Sequence, residues 1–190
     1  MMAEAYTVIF DACVLYPFAL RDLLVQMATT ELFRGRWSRD IHEEWMGALA
    51  DGGKCERSRL ERIRDLMDRA VPDCIVRDYE DLIPGIQLPD ANDRHVVAAA
   101  IRCGAQTIVT KNVRDFPSAC IGKYGIEAQH PDIFMECQFG LSSAKVCLSA
   151  HACRARLKNP PYSVSEYLSL LERQELFRTA RLLQPYSDLL

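Results

Sequence analysis

The sequence predicts an α/β fold built on a mostly parallel sheet, and three observations carry that prediction. The short runs Thr7 to Phe10 and Thr107 to Val109 are apolar on both sides, as strands buried on two faces must be. A helical stretch with Val96, Val97, Ala99, Ala100 and Ile101 on its buried side stops at Gly104, where a left-handed backbone favours glycine, and leads straight into the second run. A helix feeding an apolar strand through a two- or three-residue loop is half of a parallel βαβ unit. Ligands of such sheets gather beyond the carboxyl ends of the strands, so Asp11 and Asp115, each just past a strand, fall on the functional edge.

The remaining elements follow in order. After Asp11, Tyr16 and Pro17 open a helix expected to reach about Phe33, with Leu20, Leu23, Leu24, Met27 and Ala28 at helical spacing. Arg34, Arg36 and Arg39 surround a connection. Ser38 is an N-cap candidate for a helix whose apolar stripe is Ile41, Trp45, Ala48 and Leu49. At 100° per residue Glu44 lies at the edge of that stripe and Glu43 points away from it. Gly52 and Gly53 end this helix, another carries Leu60, Ile63, Leu66 and Met67, and Pro72 closes it. Cys74 to Val76 is a candidate strand and Tyr79 to Ile83 a turn of helix. Beyond Phe116, Ile126 to Ala128 reads as a last edge strand and Pro131 to Cys137 as a helix begun by proline. Ser142 to Leu157 and Val164 to Leu183 read as two helices parted by Asn159 to Ser163. The expected organisation is an α/β body over 1–138 and a helical extension over 139–190.

Composition narrows the function classes. Hydrophobic residues make up 49% and charged residues 26%, values of an ordinary globular chain. No apolar run approaches a membrane span and the opening residues carry no basic leader, so a cytoplasmic protein without a membrane anchor is expected. None of the eight cysteines forms the C-x-x-C pair that structural zinc favours, which leaves them as reduced, small apolar side chains. The net charge is −3, yet bases outnumber acids from residue 138 onward. Arg154, Arg156 and Lys158 are the concentrated positive feature there, and contact with phosphates is expected of them.

The acids carry the chemistry. Asp11 follows a strand, Glu44 edges a helix stripe, Asp93 stands at a helix start beside the N-cap candidate Asp90, and Asp115 follows a strand. Carboxylates converging without a cation raise one another's pKa. A hard divalent ion, Mg²⁺ or Mn²⁺, removes that conflict and suits attack of metal-bound water on a phosphodiester. No HExxH, G-x-S-x-G or phosphate-binding glycine loop supports another chemistry.

In that order the runs VIFDACVLYP, RDIHEEW, LPDANDRHVVAAAI and IVTKNVRDFP resemble the PIN domain ribonucleases, in particular the VapC-type toxins of toxin–antitoxin pairs. The similarity spans about residues 6 to 138, and ARLKNPPYSVSEYLSLLERQ is similar to an extra helical segment of one subgroup. The resemblance implies a three-layer α/β/α sandwich, a Mg²⁺ site made by an acidic quartet and cleavage of RNA. It assigns catalysis and metal binding to Asp11, Glu44, Asp93 and Asp115. Many relatives carry an aspartate two residues after the strand-end threonine, where this chain has Asn112 after Thr110, so Asn112 joins the metal set as a neutral oxygen donor. Asp90, Thr110, Arg94 and Lys111 are expected around that set as supporting or substrate-contacting residues. A cognate antitoxin protein is the implied partner, and a homodimer is allowed. Two other functions compete: a catalytically weak PIN-like scaffold that binds RNA or protein, and a DNA nuclease or phosphatase of the same fold.

Overall fold

Residues 6–190 are described by a computed structural model. The opening residues, read above as lacking a leader, lie outside the described residues. The strands β1 (Thr7–Phe10), β2 (Arg34–Ser38), β3 (Ile75–Val76), β4 (Thr107–Val109) and β5 (Glu127–Gln129) form one sheet in the order β3-β2-β1-β4-β5, and every neighbouring pair is parallel. The α/β class expected from the apolar runs is the class observed. β1 lies at the centre, which is why Val8, Ile9 and Phe10 are all fully buried.

Strand order fixes the layers. From β1 the chain steps to β2 and β3, then returns past β1 to β4 and β5. Right-handed crossovers put helices of the outward steps on one face and those of the return steps on the other, which gives an α/β/α sandwich. The first β crossover begins with α1 (Ala12–Leu15) and α2 (Phe18–Ala28), the next holds α3 (Arg39–Asp51) and α4 (Arg57–Ala70), and the return holds α5 (Arg94–Arg102) and α6 (Ser118–Ile121). Their ends follow the chemistry read above. Ser38 Oγ accepts from Ile41 N at 3.2 Å to cap α3, and Gly104 takes a φ of +63° beyond α5.

Behind β2 a polar network is sealed among aromatic rings. Trp37 Nε1 and His42 Nε2 both donate to Asp68 Oδ1 at 2.9 Å, and Trp45 Nε1 donates to His42 Nδ1 at 3.0 Å. Because Nδ1 accepts, the imidazole proton sits on Nε2, and burial lowers the pKa of His42 so that it stays neutral.

Three local expectations are corrected. The segment around Arg34 and Arg36 is strand β2, not a connection: Gly35 and Trp37 are buried and the strand pairs with both β1 and β3. Sequence concealed it because the arginines and the glycine interrupt an apolar run. The helix expected from Tyr16 to about Phe33 runs only from Phe18 to Ala28, with Pro17 at its N-cap. The helix expected over Val164 to Leu183 is two, α9 (Val164–Glu172) and α10 (Phe177–Leu183), separated where Glu175 adopts a φ of +67°.

The chain divides into two compact units, one of residues 6–16 and 33–130, the other of 17–32 and 131–190. The second contains α2, α7 (Pro131–Leu141), α8 (Ser143–Arg156), α9 and α10. Helix α7 runs through positions 138 and 139. Within this unit Asp132 is almost wholly buried and caps α10 from a distance, accepting from Arg178 N at 2.9 Å, Thr179 N at 2.9 Å and Thr179 Oγ1 at 2.8 Å. Two of the tail cations are also used internally. Arg154 donates to the carbonyls of Tyr162 and Leu190, and Arg156 to Asp22 Oδ1 and Gln26 Oε1. Arg154 and Arg156, of which contact with phosphates was expected, thus have internal partners as well. Among the described residues no helix is long and apolar enough to cross a membrane.

Candidate active site

β1 and β4 lie side by side, but their onward connections leave toward opposite edges of the sheet. The crevice between their carboxyl ends is therefore the topological switch point, where open parallel sheets bind ligands. Phe10 pairs with Val109, so Asp11 and Thr110 emerge together. Asp11 N donates to Val109 O at 3.1 Å, and its buried carboxylate receives two donors on one oxygen, Thr110 Oγ1 at 2.7 Å and Cys13 Sγ at 3.0 Å, both to Oδ2. Oδ1 keeps no hydrogen bond among the described residues. Cys13 Sγ accepts in turn from Lys111 N at 3.2 Å, and Thr110 Oγ1 from Asn112 N at 3.0 Å, so the two strand ends are laced together. Burial, and then the charge of Asp11, push the Cys13 thiol up to about 12, which keeps it protonated and donating.

Helix α3 divides its neighbouring glutamates as its geometry requires. Glu43 pairs with Arg57, whereas Glu44 Oε1 accepts from His95 Nε2 at 3.0 Å. Burial works to lower the His95 pKa, but its bond to Glu44 and the charge of Glu44 outweigh this and raise it. At the start of α5, Asp93 occupies the N-cap position without making a capping hydrogen bond. Asp90 instead accepts from Asn92 N at 2.8 Å, which shapes the turn before the helix. The capping role open to either acid thus belongs to Asp90, and to the turn.

Asp93 is the electrostatic centre of the group. Its carboxyl is pushed up to about 6, first by burial and then by the charges of Asp11, Asp90, Asp115 and Glu44. Acids from four separate stretches of chain thus bear on the one carboxyl of Asp93. Asp115 ends a 3-10 turn, Val113–Asp115, and neither it nor Asn112 uses its side chain as a cap. Asn112 is exposed, and only its backbone joins the Thr110 network. Arg94 has a buried Nε without a hydrogen-bond partner. Sequence reading singled out the acids and left Cys13 as an apolar thiol. Its position two residues past Asp11, on the same sheet edge, was the available signal.

The donors are carboxylate oxygens, the ligand type of a hard divalent cation, whose charge would relieve the repulsion felt by Asp93. Among the described residues no three His, Cys, Asp or Glu side chains stand close enough to cage an ion unaided. Mg²⁺ keeps several waters and takes few carboxylates directly, so an open arrangement suits it better than a closed cage.

Comparison with known proteins places the chain in a family. Residues 7–114 match the family model of the PIN domain, and residues 131–185 match that of the VapC50 C-terminal domain. A curated relative, named Putative ribonuclease VapC50, from Mycobacterium tuberculosis (strain ATCC 25618 / H37Rv), is 44% identical over 63 residues, which cover 33% of this chain and 37% of that protein. The match thus spans little more than a third of the relative's length. No solved structure matches the chain. The PIN domain model covers more than half of the sequence, and the chain belongs to the PIN domain family.

Proposed function

We propose that this PIN domain protein is a divalent-metal-dependent endoribonuclease, the toxin component of a type II toxin–antitoxin pair that works in the cytoplasm. One observation carries the reading: in a chain with this family's fold, acids converge at the switch point of the sheet and leave Asp93 crowded by four other carboxylates. In this reading Asp11, Glu44, Asp93 and Asp115 hold Mg²⁺ or Mn²⁺, with Asn112 at the rim. Residues 1–138 form the nuclease body and 139–190 its helical extension.

Each residue's task follows from its surroundings. Thr110 and Cys13 hold Asp11 Oδ2, which leaves Oδ1 for the cation. His95 holds Glu44 across from α5. Asp93, with no hydrogen bond to its carboxylate among the described residues, would be free to hold the cation. A bound divalent ion supplies an activated water and neutralises charge on the phosphodiester. Lys111 and Arg94 flank the acids and are suited to steadying phosphate oxygens.

Titrating Mg²⁺ and Mn²⁺ against RNA, single-stranded DNA and a small phosphomonoester side by side tests the reading. Cation-dependent cleavage of RNA alone is expected. Cleavage of DNA instead, or of the monoester, replaces the substrate class, and RNA binding without cleavage at any metal concentration replaces the enzyme with a scaffold. Co-expression with the product of a small adjacent gene should suppress both cleavage and growth arrest if the partner is an antitoxin.

A further inference from the structure

The acids occupy one stretch of the sheet edge, and a second feature stands farther along it. β2 and β3 are parallel with Ser38 opposite Val76, so the next residues, Arg39 and Arg77, emerge side by side past the strand ends. Both line a cleft of about 480 Å³ together with Arg64, His42 and Asp68, and the bonds of Asp68 to His42 and to the buried Trp37 fix that wall in place. The carboxylates around this cleft are already engaged. Glu43 pairs with Arg57, Asp65 with Arg64 at 2.8 Å, and Asp68 accepts from Trp37 and His42. The guanidiniums of Arg39 and Arg77 have no hydrogen-bond or ion-pair partner among the described residues. Asp68, held by neutral Trp37 and His42, keeps its charge, so Arg39 and Arg77 together leave this wall with an excess of one positive charge. An anion complements that excess, and the planar guanidinium fork suits two oxygens of one phosphate.

The place of the pair gives that anion a role. Strands in a sheet are about 4.8 Å apart, so β2 and β3 put Arg39 and Arg77 one and two strand spacings from Asp11, roughly 5 and 10 Å at the backbone. That is of the order of the spacing between successive phosphates on a strand.

We propose that the Arg39/Arg77 cleft is a phosphate subsite that grips the backbone of single-stranded RNA one or two nucleotides from the bond presented to the acids. It rests on the nuclease reading above for its substrate. Binding is read by fluorescence anisotropy of a labelled single-stranded RNA with the full chain in EDTA, between 50 and 200 mM salt. Arg39→Gln and Arg77→Gln should each weaken binding by about threefold to tenfold at the lowest salt, and the double variant should flatten log K against log salt by about 0.7 per lost contact. Arg62→Gln, an exposed charge elsewhere on α4, should change far less. Melting temperature and Mn²⁺ affinity should match the parent in all of these.

A double variant with the parent's affinity and slope, or one no weaker than Arg62→Gln, overturns the subsite. So does millimolar inorganic phosphate that binds through Arg39 and Arg77 but leaves RNA affinity untouched, which would make the cleft a receptor for the free ion. A parent that cleaves RNA while the double variant binds it unchanged sinks this inference alone. A parent that does not cleave, but loses RNA affinity in the double variant, sinks the nuclease reading and leaves the subsite standing.

Discussion

Asp93 and Asp132 look alike in sequence, each an acid beside a helix start, and the two units treat them in opposite ways. Asp132 is surrounded by donors: two backbone N–H groups and the Thr179 hydroxyl meet its two oxygens. Asp93 has no donor on its carboxylate among the described residues, and burial together with the charges of Asp11, Asp90, Asp115 and Glu44 raises its carboxyl to about 6. A buried carboxylate matched by donors locks a helix in place. One left without donors and exposed to other negative charges is held there by the rest of the fold, at a cost in stability. This contrast separates the structural acids of the helical unit from the acids at the sheet edge.

The sharpest way to break the contrast is to neutralise each member. Asp93→Asn should lower cation-dependent RNA cleavage by about a hundredfold or more, since a ligand charge is lost from the site. The metal-free melting temperature should hold or rise, because repulsion with Asp11, Asp90, Asp115 and Glu44 is relieved. An Asp93→Asn protein that cleaves at the parental rate would return the residue to the helix start as a simple structural acid.

Asp132→Ala should do the reverse. Removing the acceptor strands two N–H groups and a hydroxyl in a buried place, a loss of about 2 to 3 kcal/mol in stability, read by denaturant unfolding. Divalent-metal affinity should stay at the parental value. Asp132→Asn, which keeps acceptor capacity on one oxygen, should lose less.

Protons offer a finer test. An Asp with its folded pKa raised to about 6, above an unfolded value near 3.9, favours the folded state at low pH, and that contribution is lost as pH rises between about 4 and 6. The metal-free protein should therefore lose the Asp93 share of its stability over that window, and the Asp93→Asn variant should lack that share. Cation affinity should run the other way, gaining about tenfold between pH 5 and 7 as the proton leaves. A flat affinity profile would detach Asp93 from the metal.

The smallest expected effect belongs to His95. His95→Ala should weaken Mn²⁺ binding by a few-fold by freeing Glu44, and His95→Gln, which keeps a donor, should recover part of it. In a Glu44→Gln background the His95→Ala change should have no further effect on Mn²⁺ affinity. Additive losses would show that His95 acts on the fold and not through Glu44.

Local patterns in the sequence were enough for the elements whose cause is local. The apolar runs of β1 and β4, the Ser38 cap, the Gly104 stop and the separation of Glu43 from Glu44 all arise from backbone sterics, helical period or burial of contiguous residues. The acids at the sheet edge were legible for the same reason, since an ionisable residue directly after a doubly buried strand has few structural uses. Tertiary structure decided whatever depends on partners far along the chain. β2 is a strand because β1 and β3 flank it, even though its arginines and glycine argue for a loop. Arg154 and Arg156 are internal ties because Tyr162, Leu190, Asp22 and Gln26 fold to meet them. Cys13 holds Asp11 because Thr110 and Lys111 arrive beside it from the neighbouring strand. Sequence determined which side chains carry charge and which segments must be buried, while the fold alone chose the neighbours of each charge, because a carboxylate's energy depends on what surrounds it and not on what precedes it in the chain.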